Sequence, residues 1–99
     1  MDRSQLTTVV LDAIRVINQA REPADQISES IEAPLFGGDS PLDSLGLVAL
    51  LMEVEEGFRD VNIEISISDE RAMAQRNNPF RSVSSLVDYI EERLEQEKA

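Results

Sequence analysis

The chain has 99 residues and a formal net charge of -11, from 20 acidic and 9 basic side chains, with no cysteine and no histidine. A field of that sign repels nucleic-acid backbones and anionic membrane surfaces, and it favours partners with basic docking patches. The missing residue types exclude disulfides, thiolate or imidazole metal sites, and a cysteine or histidine catalyst. One domain, residues 1–99, with an aliphatic core is expected, because aromatics make up only 4% of the chain.

The first predicted helix carries Leu6, Val9, Val10, Ala13, Ile14 and Ile17 as one apolar stripe, capped by Asp2 or Ser4 and finished before Pro23. Residues 22–43 read as a long loop pinned by Ile27, Ile31, Leu35 and Phe36, with a helical turn over about Ala24–Ile31. A Gly- and Pro-containing turn, Leu35 to Leu42, then leads into Asp43-Ser44-Leu45.

The second predicted helix runs from about Ser44 to Phe58 and is apolar on most of its circumference, so part of it should stay exposed. Val61, Ile63, Ile65 and Ile67 alternate with polar residues, the period of a strand, but nothing else in the chain reads as a partner strand. An extended connector plugging isoleucines into a helical core is expected instead. Asp69 caps a short helix to about Arg76, which Asn77-Asn78-Pro79 ends. Ser82 or Ser84 starts the last helix, which buries Val83, Leu86, Val87, Ile90 and Leu94. Its charged tail, Glu91–Ala99, is expected to fray, above all over 95–99. The sum is an all-α, small four-helix bundle of three principal helices, one short helix and a long first loop.

An isolated Asp-Ser pair is an ordinary helix start. Here it stands in a longer pattern: Leu42-Asp43-Ser44-Leu45-Gly46-Leu47-Val48, then Glu55-Glu56-Gly57-Phe58, then Ser82-Val83-Ser84-Ser85-Leu86-Val87-Asp88-Tyr89-Ile90. Motif and helix order together resemble the acyl carrier protein family in its discrete form, from about Leu6 to Leu94. The resemblance implies a non-catalytic carrier. Ser44 would be the attachment serine for 4′-phosphopantetheine, with Asp43 orienting the junction, and the cofactor would come from coenzyme A through a phosphopantetheinyl transferase. Further partners would be acyl- or aminoacyl-loading ligases and acyl-transferring enzymes of fatty-acid, lipid or secondary-metabolite biosynthesis. An aminoacyl, peptidyl or polyketide-type cargo is the alternative.

Leu45, Val48 and Met52 fall on the side of the second helix that carries Ser44, and are expected to form the apolar centre of a docking surface rimmed by Glu55 and Glu56. Leu50, Val54, Ile63, Ile65 and Leu86 are expected to shelter a short acyl chain. Fatty-acid-type carriers usually place acids early in this helix, where Gly46 and Ala49 stand here, which hints at a dedicated partner set. Asp39 and Asp43 lack the ligand spacing of a calcium loop, so no metal site is expected. A rival of another class is an acidic interaction module with no prosthetic group. No run reaches membrane-spanning length and no signal-peptide core is visible, so a cytoplasmic monomer is the expectation.

Overall fold

The stripe on residues 6–17 folds as α1, Arg3–Asn18. Its start is a capping box: the Asp2 carboxylate accepts the Gln5 N–H and the Gln5 side chain accepts the Asp2 N–H, both at 2.9 Å. Leu6, Val10, Ala13 and Ile14 are buried, and Val9 and Ile17 pack at the edge of the core. The computed structural model describes residues 2–35, 42–65, 67 and 80–98, leaving out the side chains of Ser44 and of 96–98. The expected short helix over Asp69–Arg76, the Asn77-Asn78-Pro79 stop, Phe36 and the Gly37–Pro41 part of the turn lie outside the described residues.

The following loop is less helical than its sequence suggests. Only a 3-10 turn, Pro23–Asp25, forms in place of the helical turn expected over Ala24–Ile31. Gln26 is already extended, at φ -76° and ψ 147°. The loop is held by side chains instead. Asn18 donates to the Ile27 carbonyl and accepts the Ile27 N–H, each at 2.8 Å. Ile27, Ala33 and Leu35 are buried, whereas Ile31, expected as a pin, is 42% exposed.

The second helix, α2, spans Ser44–Arg59. Leu47, Leu50, Leu51, Val54 and Phe58 make its buried face. At its end Asn62 sits at φ 64°, and the Ile63 N–H reaches the Phe58 carbonyl while the Asn62 N–H reaches that of Arg59. That pair of bonds is a Schellman closure, with asparagine in the left-handed position. In the connector beyond it, Ile65 and Ile67 are buried, Ile63 is half-buried and Val61 is 48% exposed.

The third helix, α3, spans Val83–Lys98. The acidic stretch 91–98 continues this helix. Glu, Gln, Arg and Leu all favour the helix, and Leu94 packs on the core. Its first turn is completed from the loop: the Val83 N–H meets the Ala33 carbonyl, the Ser84 N–H meets that of Ile31, and Pro34 bridges Ser82. The Ser82 hydroxyl accepts the Ser85 N–H at 3.2 Å, so Ser82 rather than Ser84 caps this helix.

α1 packs against both α2 and α3, and the faces of all three helices meet in one aliphatic core. Phe80 closes one edge of it with Tyr89, ring centroids 6.1 Å apart and nearly perpendicular. Among the described residues the fold is a small all-helical assembly of three helices without strands. None of the described helices is long and apolar enough to cross a membrane.

Candidate functional site

The start of α2 is built by Asp43. Its backbone is extended, at φ -88° and ψ -175°, and its carboxylate accepts the Gly46 N–H at 2.7 Å. Its carbonyl accepts the Leu47 N–H at 2.9 Å, the first bond of the helix proper. Ser44 is thereby the first residue of α2. The first-turn amides have no carbonyl one turn back, and the helix dipole places partial positive charge there.

Gly46 is there for space. A Cβ would lie 3.0 Å from the Leu42 side chain and 3.2 Å from the Asp43 carboxylate. A longer acidic side chain at this position would crowd Leu42 and stand against Asp43. Ala49 is exposed and has no such constraint. The same position exposes a residue that sequence reasoning did not place at the site. Arg21 brings its Nη1 to 3.7 Å from where that Cβ would be, while its Nε donates to the Asp25 carbonyl at 2.7 Å. In the sequence Arg21 reads only as a cation near the end of the first helix. The chain reversal after Asn18 carries it to α2, and no local pattern marks that.

Beside Ser44, α2 presents Leu45 at 82% exposure and Met52 at 59%, with Val48 half-buried between them. Spacings of three and four residues put the three on one face. The two expected rim acids differ. Glu56 is exposed and pairs with Arg59 at 2.6 Å. Glu55 is half-buried and its carboxylate accepts the Ile67 N–H at 2.6 Å. Glu55 is thus a structural tie between α2 and the connector.

Of the residues expected to shelter an acyl chain, Leu50, Val54 and Leu86 are fully buried, Ile65 nearly so, and Ile63 half-buried. All join the same core cluster. None of the five lines either described cavity. One, of about 240 Å³, is ringed by Arg15, Asn18, Gln19, Gln26 and Glu29. There the Glu29 carboxylate, 2.9 Å from Arg15 Nε, raises the pKa of that guanidinium above its usual value by hydrogen bonding and charge, with Asp12 adding to the effect. The other, of about 300 Å³, lies between α1 and the far end of α2. Among the described residues no group of three or more acidic side chains converges as a metal site. No family model, no curated protein and no solved structure matches this chain.

Proposed function

We propose that this protein is a discrete acyl carrier, with 4′-phosphopantetheine attached to Ser44. The observation that carries the reading is Asp43-Ser44-Leu45 at the head of α2. Asp43 caps the helix, Ser44 opens it, and Leu45 stands almost fully exposed beside it. The local charge supports an anion at this point, since the dipole of α2 favours one at its head. In this reading Asp69–Arg76 supplies the short fourth helix of an acyl-carrier-like bundle.

The attachment step is a phosphoryl transfer from coenzyme A. The Ser44 hydroxyl oxygen would bond to the pantetheine-side phosphorus and give up its proton to a base of the transferase, as the bond to the adenosine-side phosphate breaks and adenosine 3′,5′-bisphosphate leaves. The attached arm supplies the thiol on which an acyl group rides as a thioester. The chain itself holds and presents that arm. Leu45, Val48 and Met52 give partner enzymes an apolar centre, with Glu56 at its rim. Glu55 is better suited to holding the connector. A chain without cysteine has no thiol of its own to which the acyl group could migrate.

Incubation with coenzyme A, Mg²⁺ and a broad-specificity phosphopantetheinyl transferase, followed by intact-mass measurement, should add one phosphopantetheine to the wild type and none to Ser44→Ala. An unchanged wild-type mass, or a gain that survives the substitution, would sink the reading. The exposed Leu45 and Met52 also suit an acidic interaction module with no prosthetic group. That reading requires partner binding to be indifferent to Ser44→Ala and the wild-type mass to stay unchanged.

A further inference from the structure

A groove of about 300 Å³ runs between α1 and α2, at the end of α2 remote from Ser44. Its floor is Val9, Ala13 and Val16 on one side, Gly57 and Val61 on the other. Val16 and Val61 are 45% and 48% exposed, so the described chain does not close over this apolar strip. Gly57 allows the tight approach beneath it, since a Cβ there would meet Val9 Cγ1 at 3.0 Å.

Asp12, Glu53 and Asp60 stand along the rim, and no basic side chain lines the groove. Asp12 shares Arg15 with Glu29. Glu53 and Asp60 make no ion pair among the described residues. With a rise of about 1.5 Å per residue, Glu53 and Asp60 stand roughly 14 and 24 Å along α2 from Ser44. An occupant here leaves the head of the helix open.

We infer that this groove docks a helix of a partner protein that presents one or two aliphatic side chains flanked by arginine or lysine. The volume is at the small end of ligand pockets and suits a few aliphatic groups. The floor offers apolar contact, and the rim selects the sign of the flanking charges and sets orientation. A second copy of this chain is the wrong sign, since each copy carries -11. The inference does not depend on Ser44 carrying a cofactor.

The test is a titration of the ¹⁵N-labelled full chain with a synthetic helical peptide bearing two leucines one turn apart, flanked by arginines. Amide shifts should concentrate at Val9, Ala13, Val16, Gly57 and Val61. Glu53→Lys with Asp60→Lys should weaken binding roughly tenfold, the summed loss of two rim pairs. Glu92→Lys with Glu95→Lys changes net charge equally on α3 and should leave affinity within about twofold. Replacing the peptide leucines by serine should abolish binding. Shifts centred on Leu45, Val48 and Met52, equal losses from the two double variants, or no saturable binding at millimolar peptide would overturn the inference. Thermal melts of each variant separate lost binding from lost folding.

Discussion

Asn18 closes α1 and is buried, yet its side chain finds both of its partners on one residue, the N–H and the carbonyl of Ile27. It stands in for a strand neighbour that the loop does not have. Asn18→Ala leaves both backbone groups unpaired in the interior, so a loss of about 2–4 kcal/mol is expected in urea unfolding. Asn18→Asp keeps the shape and the acceptor but removes the donor, and should also destabilise. Nothing in the sequence marks this residue, because its partners are backbone atoms and carry no residue identity. Glu55 was opaque for the same reason: it reads as a surface acid until its bond to the Ile67 N–H is seen. Asp43 was legible because an N-cap is a local device, written in adjacent residues.

At the level of elements, α1 and α2 were legible from the spacing of their apolar residues, and so were Ile27 and Leu35 as pins of the loop between them, but the helical turn read over Ala24–Ile31 was not there. Pro23 does start a turn, but Gln26 leaves it at once for an extended conformation, because the Asn18–Ile27 bonds hold the chain there. The exit of α2 is set more locally. Asn62 holds a left-handed conformation that a β-branched side chain resists. Asn62→Val should cost about 1–2 kcal/mol by urea or thermal unfolding, while Asn62→Gly should hold or raise stability. Equal stability of both variants would mean that the Schellman closure contributes nothing.

Across the whole molecule the dominant quantity is the charge of -11, spread over a body whose longest extent is 42 Å. At about 0.01 M salt the screening length is roughly 30 Å, so most of these charges feel one another; at about 0.15 M it is roughly 8 Å. The melting temperature should therefore rise as sodium chloride is added over this range, followed by circular dichroism. A flat or falling melting temperature would show that the native acids are already balanced locally. The few ion pairs among described residues, such as Arg3 with Asp88, lie at exposed positions and offset little of the repulsion.

The bonds that complete the first turn of α3 come from Ile31 and Ala33, half a chain earlier. The last helix cannot therefore be finished by its own segment. On a ribosome, α1, the loop and α2 emerge first and must wait, with the core face that Leu86 and Ile90 cover still open to water. Closure of the fold then hinges on a non-local pairing at Pro34 and Ser82, the kind of contact that slows folding for a given size. A chain cut before Arg81 would lose a helix and would also strand the Ile31 and Ala33 carbonyls and the Leu35 N–H that the missing segment would have answered.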